Sequence, residues 1–144
     1  MILMDVNVLV YAHRKDAERH AEYHRWLQAV LAGDAGFGVA ANVLSGFVRI
    51  VTHPRIFDPP TPLPQALAFA EVLRTHPAVT LVQPGPRHWE LFCKLCRDSG
   101  ATGNLVSDAW LAALAIESGC EWITTDRDFA RFPGLRWRPS LPPA

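Results

Sequence analysis

The sequence is poor in lysine and has no excess of charge of either sign. Only two of its 14 basic residues are lysines, and 14 acidic residues balance them, so the 144-residue chain has a formal net charge of zero. Proteins that coat nucleic acid usually carry a global basic excess, which this chain lacks. The balance does not exclude an enzyme that touches nucleic acid over a short stretch.

Long hydrophobic runs and an N-terminal targeting segment are also missing. No apolar run approaches the roughly 20 residues that a membrane span needs. The start, MILMDVN, places an acid at position 5 and lacks the basic residues that lead a signal peptide. The length suits one domain with a buried core. We therefore expect a single cytoplasmic domain over residues 1–144, without membrane association.

Cysteine is scarce, and its spacing indicates no disulfide framework. Cys93 and Cys96 form a C-x-x-C pair, but a structural zinc site would need a second pair of ligands at matching spacing, which the sequence lacks. We interpret these thiols as small apolar groups on the buried side of an amphipathic helix. The six histidines include no H-E-x-x-H or other matched ligand pair, and we expect most of them at the surface.

Several catalytic signatures are absent as well. The chain contains neither G-x-x-x-x-G-K-[ST] nor G-x-G-x-x-G, which cradle nucleotide phosphates, and no G-x-S-x-G nucleophile elbow. A haloacid-dehalogenase-type phosphatase would carry D-x-D after its first strand, where this chain reads D-V-N. A small metal-dependent phosphatase on a similar sheet stays an alternative, with its own signature missing.

Short apolar segments alternate with helical patterns along the chain. The apolar spacing predicts strands over 2–4, 37–40, 79–82, 122–125 and 135–137, and helices over 6–12, 17–31, 43–51, 65–74, 86–98 and 105–118. Asn42 is the expected N-cap of the third helix, and five prolines make the segment 52–64 an irregular loop. This alternation is typical of an α/β fold with a mostly parallel sheet covered on both faces.

Three aspartates stand where ligands gather in such a fold. Asp5 directly follows the first strand, Asp126 follows the fourth, and Asp108 lies in the first turns of the helix after the SGATGN loop. Ligand sites of parallel sheets lie outside the carboxyl ends of the strands. Carboxylates brought together repel, so either their pKa values rise or a cation compensates them. Oxygen ligands without His or Cys favour Mg²⁺ or Mn²⁺ over zinc.

Each aspartate also has an interpretation without chemistry. Asp5 could cap the helix that follows it, and Asp108 could interact with the dipole of a helix N-terminus. Asp126 could begin an Asx turn. Taken singly, these structural roles explain each acid, so it is the joint placement at one sheet edge that favours a site.

Four segments carry a family resemblance over essentially the whole chain, in compatible order and spacing: MILMDVNVLVYA, GFVRIVTHPRIF, ATGNLVSDAWLAALA and WITTDRDFARFPGL. They resemble PIN-domain proteins, and more narrowly the VapC ribonuclease toxins of bacterial toxin–antitoxin pairs, in the branch abundant in mycobacteria. The resemblance implies a three-layer α/β/α sandwich around a parallel sheet of four or five strands. It also implies a Mg²⁺- or Mn²⁺-dependent endoribonuclease that cuts structured RNA such as transfer or ribosomal RNA. Its partners would be a cognate VapB-type antitoxin and a second copy of the chain.

The resemblance assigns roles to individual residues. Asp5 and Asp108 would be direct metal ligands, and Asp126 would bind the metal or orient a water. Three neighbours would hold these groups in place through hydrogen bonds: Asn7, Asn104 and Thr125.

One position departs from the family pattern. PIN nucleases mostly carry a Glu in the helix after the second strand, within a pattern like E-F-x-R, and this chain reads G-F-V-R from Gly46. Asp128 is the nearer replacement for that acid and Asp98 a more distant one. Glu117 lies at the far end of its helix from Asp108. The missing acid leaves an alternative open: an impaired PIN module that binds RNA or protein without cutting.

Basic and aromatic side chains around these positions each have two interpretations. Four basic residues would contact RNA phosphates if they line the crevice: Arg14, Arg49, His53 and Arg55. Otherwise they form a solvated or antitoxin-facing surface. Trp26 and Phe47 could lie in a homodimer or antitoxin interface, but the core is the better interpretation for aromatic residues.

Overall fold

Short strands alternate with helices along the chain, as the sequence predicts. The structure is a computed structural model that describes residues 1–142. Its strands are β1 (Ile2–Met4), β2 (Phe37–Val39), β3 (Val79–Leu81), β4 (Glu121–Ile123) and β5 (Trp137–Arg138). Its helices are α1 (Val6–His13), α2 (His20–Ala32), α3 (Ala41–Val51), α4 (Leu63–Arg74), α5 (His88–Ser99) and α6 (Asn104–Ser118), with a 3₁₀ helix at Arg127–Arg131. In this part of the chain, no helix has the length and apolar character of a membrane span.

The five strands form one sheet in the order β3-β2-β1-β4-β5, and every pair is parallel. Leu3 in the central strand β1 aligns with Gly38 of β2 on one side and with Trp122 of β4 on the other. The predicted α/β class and the mostly parallel sheet of four to five strands are therefore confirmed.

The direction of the crossovers decides which face each helix covers. Connections between parallel strands are right-handed. The chain moves from β1 to β2 to β3 in one direction along the sheet and then reverses to reach β4, so α1 to α4 cover one face and α5 and α6 cover the other. In agreement, α1 packs on α2 and α3, α3 packs on α4, and α5 packs on α6. This arrangement is the predicted three-layer sandwich.

The reversal opens a crevice between β1 and β4. The connection that leaves β1 covers one face of the sheet, and the connection that enters β4 covers the opposite face. Crevices of this kind, outside the carboxyl ends of the strands, are where α/β sheets bind ligands. Asp5 follows β1 directly, and Asp126 follows β4 after two threonines. Topology therefore brings two of the predicted acids to adjoining strand ends.

Phe47 is part of the core between α1, α3 and α4. Its side chain is fully buried, and its ring stacks on that of Phe69 with centroids 4.7 Å apart. The ring of His13 meets Phe47 edge-on at 5.3 Å. Trp26 packs against the same core but remains partly exposed. The core interpretation thus holds fully for Phe47 and in part for Trp26.

One local prediction is wrong. Helix α3 begins at Ala41, directly after β2, and its N-cap is Ala40; Asn42 lies exposed in the first turn because the strand runs into the helix without a loop. As expected, most of the histidines reach the surface: of the six, His24 is exposed, four are half-buried and His88 is buried. His88 is 1% exposed, and its Nε2 is paired with a backbone carbonyl of α6 at 3.0 Å.

The cysteines are free thiols. Cys93 and Cys96 are half-buried on α5, and Cys120 is buried. Burial raises the pKa of Cys96 above its ordinary value, which makes this thiol less reactive. The interpretation of the C-x-x-C pair as packing residues agrees with these observations.

We predict that Phe47→Ala lowers the free energy of unfolding by about 3–5 kcal/mol, because it removes a fully buried ring from closely packed helices. Val72 on α4 is 56% exposed, so Val72→Ala serves as the control and should change the free energy by less than about 0.5 kcal/mol. Urea unfolding measures both variants. Equal, small effects would contradict the packing described.

Candidate active site

Asp5 is a buried acid with both oxygens engaged. It is 7% exposed. Its Oδ1 accepts the backbone N–H of Val6 at 2.7 Å, so it caps α1, and its Oδ2 accepts the hydroxyl of Thr124 at 2.6 Å. Burial raises the pKa of Asp5, the hydrogen bonds from Thr124 and Val6 lower it in part, and the negative charge of Asp126 raises it. The structural role foreseen for Asp5, a helix cap, is therefore present alongside its place in the crevice.

Thr124 connects the ends of β1 and β4. It is fully buried, and its Oγ1 donates to Asp5 and accepts the backbone N–H of Asp126 at 3.0 Å. The resemblance had suggested Thr125, the next residue, for this role. The strand register decides between the two, because Met4 aligns with Ile123 and the residues that follow them meet. A single sequence carries no register, so this signal was absent from it.

Asp126 is held by the turn that follows β4. It caps the 3₁₀ helix, and its Oδ1 accepts the backbone N–H of Asp128 at 2.9 Å. The Asx-type role expected for Asp126 is thus observed. Asp128 is exposed and belongs to the same short turn, so two carboxylates leave the carboxyl end of β4 within three residues.

Asp108 differs from the other acids because no structural task accounts for it. It is the fifth residue of α6 and half-buried, and its carboxylate makes no hydrogen bond within residues 1–142. Burial, and after it the negative charges of Asp126, Asp5 and Asp128, together raise the pKa of Asp108 to about 6. Every charge that shifts this pKa is an acid, so the four carboxylates act on one another across the crevice.

The donor chemistry of the crevice fits a hard divalent cation. Its acids offer only oxygen atoms, as Mg²⁺ and Mn²⁺ prefer. Within the described residues, no three acidic, imidazole or thiol groups already stand close enough to form a complete ligand set. The Oδ1 of Asn7, two residues after Asp5, is buried without a hydrogen-bond partner in the same part of the chain. A buried polar atom of this kind normally has a partner, such as a bound water.

The other predicted acids and amides take separate positions. Asn104 is the exposed first residue of α6, one turn before Asp108. Asp98 pairs with Lys94 on α5. Glu117, nine residues beyond Asp108 on α6, accepts backbone N–H groups of the loop before α5. Of the replacements considered for the missing glutamate, only Asp128 therefore acts electrostatically on Asp108.

Gly46 stands where α3 comes closest to the start of α1. A Cβ added at this position would lie 3.1 Å from Cγ2 of Val6, the residue next to Asp5. The position that carries the family's glutamate thus lies beside the crevice, and glycine allows the close approach of the two helices.

The four residues predicted to contact RNA phosphates have different surroundings in the structure. Arg14 lies about 14 Å along α1 from Asp5, and its guanidinium donates to Asp16 and Thr61 and stacks over Phe57. Arg14 is therefore paired outside the crevice and not with the crevice aspartates. Three basic groups remain on or after α3: Arg49 and Arg55 are exposed, and His53 is half-buried. Nδ1 of His53 accepts the backbone N–H of Arg55 at 3.0 Å.

The fold and its acidic crevice define a class of protein. The sequence matches the PIN domain over residues 2–135, and the chain belongs to the PIN-domain family.

Full-length relatives narrow this assignment. Ribonuclease VapC43 of Mycobacterium tuberculosis is 45% identical over 141 residues, which cover 98% of this chain and 96% of that protein. Ribonuclease VapC25 of the same organism is 43% identical over 136 residues, which cover 94% and 96%. The chain is therefore a VapC-type endoribonuclease of the toxin–antitoxin class. PIN-domain ribonucleases of this type generally depend on a divalent metal.

Solved structures share the fold at low sequence identity. The VapBC2 complex of Rickettsia felis, bound to a DNA fragment from its promoter, matches with a TM-score of 0.69 at 19% identity over 96% of this chain and 98% of that chain. VapC20 of Mycobacterium tuberculosis, described as a toxin that cleaves the sarcin–ricin loop, matches with a TM-score of 0.66 at 17% identity over 94% and 99%.

We predict that Asp108→Asn stabilises the metal-free protein at neutral pH. Because the folded-state pKa of Asp108 is about 6 against an ordinary 3.8, the folded protein binds more protons than the unfolded chain in this window, and stability falls as pH rises from about 4 to 6. After allowance for solvent screening, the variant should gain about 1 kcal/mol at pH 7.5. It should gain nothing at pH 4.

Urea unfolding in EDTA at both pH values measures this difference. Asp98→Asn is the control, since that acid is exposed and paired with Lys94. The same gain at pH 4 and pH 7.5 would show that the carboxylate is not under electrostatic strain.

Proposed function

We propose that this chain hydrolyses phosphodiester bonds in structured RNA with Mg²⁺ or Mn²⁺ held by Asp5, Asp108 and Asp126. The observation that carries the proposal is the half-buried Asp108, whose pKa is raised by burial and by acids alone. A fold gains nothing from such repulsion, and a bound cation would remove it. The family supports the reaction, and the oxygen donors support the class of metal.

The chain's own residues would prepare the site. Thr124 holds Oδ2 of Asp5, and Asp128 adds a negative charge that acts on Asp108 in a chain without the family's glutamate. The unpaired Oδ1 of Asn7 would accept a hydrogen bond from a water in the crevice. When bound, the divalent ion would lower the pKa of a water and neutralise the charge that develops on the phosphodiester.

The RNA target and the partners are further parts of the proposal. A transfer or ribosomal RNA is the proposed substrate in the cytoplasm, with inhibition of translation as the outcome; VapC20, of the same fold, is described as cleaving the sarcin–ricin loop. A VapB-type antitoxin and a second copy of the chain are the proposed partners, since structural neighbours are VapBC assemblies. Arg49, one turn from Gly46 and exposed, would contact RNA phosphates.

Substitution of the acids tests the proposal. We expect Asp5→Asn and Asp108→Asn to lower RNA cleavage with Mn²⁺ by roughly 100-fold or more, because each removes charge from the site that stabilises the transition state. Asp98→Asn should cleave at the wild-type rate, since Asp98 pairs with Lys94 outside the crevice. Gel analysis of transfer and ribosomal RNA after incubation measures all three. Wild-type cleavage by either crevice variant would refute the assignment.

Gly46 favours a second candidate, a PIN module that binds RNA without cutting it. In that case the wild-type protein would bind RNA with Mn²⁺ present and leave it intact.

The two functions respond differently to Gly46→Glu. For an active nuclease, we expect this variant to tighten Mn²⁺ binding by a few-fold while cleavage persists, because it adds a carboxylate beside Asp5 at the cost of a small shift of Val6. Gly46→Gln is the control, with the same size and no charge. Calorimetric titration with MnCl₂ measures the affinity. Cleavage that appears only in the Glu variant would show that the natural chain is the impaired module.

A further inference from the structure

An aromatic cluster lies on the helices beside the crevice. The rings of Trp89, Phe92 and Trp110 lie 5.3 to 6.4 Å from one another, centroid to centroid. Trp89 is 64% exposed, and the other two are half-buried. Phe92 packs in part against the core, but neither the acidic site nor the core cluster includes the exposed Trp89 and the half-buried Trp110 beside it.

A cavity of about 260 Å³ opens against this cluster. Its lining is Asn42, Phe92, Val106, Ser107 and Trp110. The cavity lies between the first turn of α3 and the first turns of α6, and α3 begins at the carboxyl end of β2. Ser107 directly precedes Asp108, and Asn42 lies one turn before Gly46. The cavity therefore shares an edge of the sheet with the acids.

The ring of Trp110, which lines the cavity, is held in place by a neighbouring side chain. The fully buried His88 pairs through Nε2 with the Trp110 carbonyl at 3.0 Å, and its ring meets the Trp110 ring edge-on at 4.2 Å. A side chain that is already held in position loses little conformational entropy when a ligand binds.

The lining chemistry selects among ligands. Two aromatic rings at 70° to each other offer one face for stacking and one edge-on contact, one amide and one hydroxyl offer hydrogen bonds, and the lining contains no charged side chain. Proteins recognise unstacked RNA bases by this combination of aromatic stacking and polar contacts to the base edges. Asn and Ser side chains also contact phosphates, but the lining has no Arg or Lys to neutralise a phosphate, and its aromatic rings favour a base.

We propose that this cavity binds one unstacked nucleobase of the RNA next to the bond that is cut. Trp110 would stack on the base, Phe92, whose ring stands at 70° to that of Trp110, would meet it edge-on, and Asn42 and Ser107 would contact its edge and so influence which sequence is cleaved. The inference rests on the proposed function, because it supplies a base-binding subsite for that reaction.

RNA binding without cleavage tests the subsite. In an Asp5→Asn background, which keeps RNA intact, Trp110→Leu should weaken binding of short single-stranded oligoribonucleotides by roughly 10-fold, whereas Trp110→Phe should restore most of the affinity because it can still stack. Asn42→Ala, an exposed change, should alter the relative affinities for rA, rC, rG and rU octamers. Trp26→Leu on α2 is the control for loss of an indole. Fluorescence anisotropy measures the affinities, and circular dichroism checks the fold.

A base analogue locates the contact directly. Stacking should quench 2-aminopurine in the oligonucleotide, and Trp110→Leu should abolish the quenching. Unchanged affinity and quenching in folded Trp110→Leu and unchanged base preference in Asn42→Ala would overturn the proposal. So would a change from dimer to monomer in Trp89→Ala with RNA affinity retained, because the cluster would then be an interface between copies.

Failure of the subsite and failure of the proposed function give different results. If the subsite alone is wrong, Asp5→Asn still abolishes cleavage while the aromatic variants bind RNA normally. If the proposed function is wrong, either the wild-type protein leaves RNA intact or Asp5→Asn cleaves it at the wild-type rate, whatever the aromatic variants do.

Discussion

The hydrogen bond between Thr124 and Asp5 is the interaction on which the crevice depends. Parallel pairing of β1 with β4 places the two side chains opposite each other, and the backbone N–H of Asp5 extends this pairing by donating to Ile123 at 2.9 Å. The same hydroxyl oxygen accepts the N–H of Asp126. One buried group therefore orients the first acid and fixes the backbone that carries another, and the reversal of the chain at this point places both where a ligand can reach them.

The distribution of charge separates this crevice from the rest of the surface. Five ion pairs join cations to acids elsewhere in residues 1–142, at Arg14–Asp16, Arg19–Glu22, Arg74–Glu71, Lys94–Asp98 and Arg138–Glu121. None of them involves Asp108 or the three acids whose charges act on it. A chain with no net charge thus keeps a locally uncompensated group of carboxylates, which is the condition for binding a cation and not for stabilising a fold. The nearby aromatic cavity adds an uncharged surface suited to a base.

Periodicity and strand ends made the layers and the placement of Asp5 and Asp126 predictable from the sequence, because Asp5 directly follows β1 and Asp126 follows β4 after two threonines. Contacts between distant segments were not predictable. Thr124 depends on the register of β1 against β4, and the pairing of Arg14 with Thr61 joins positions 47 residues apart. The sequence does not distinguish His88 from a polar surface residue, because its burial depends on the packing of α5 on α6. The roles assigned to the acids, to Asn104 and to the basic residues of α3 remain predictions.

The central claim is that Asp5, Asp108 and Asp126 share one divalent ion. Paramagnetic broadening by Mn²⁺ in ¹H–¹⁵N NMR spectra tests it most directly, because the effect falls steeply with distance from the ion and needs no substrate. The account predicts that substoichiometric Mn²⁺ broadens first and together the amides of Val6, Asp108, Thr124 and Asp126, and that excess Mg²⁺ restores them. Broadening centred on other acids, such as Asp98 or Glu117, with the crevice amides unaffected, would contradict it.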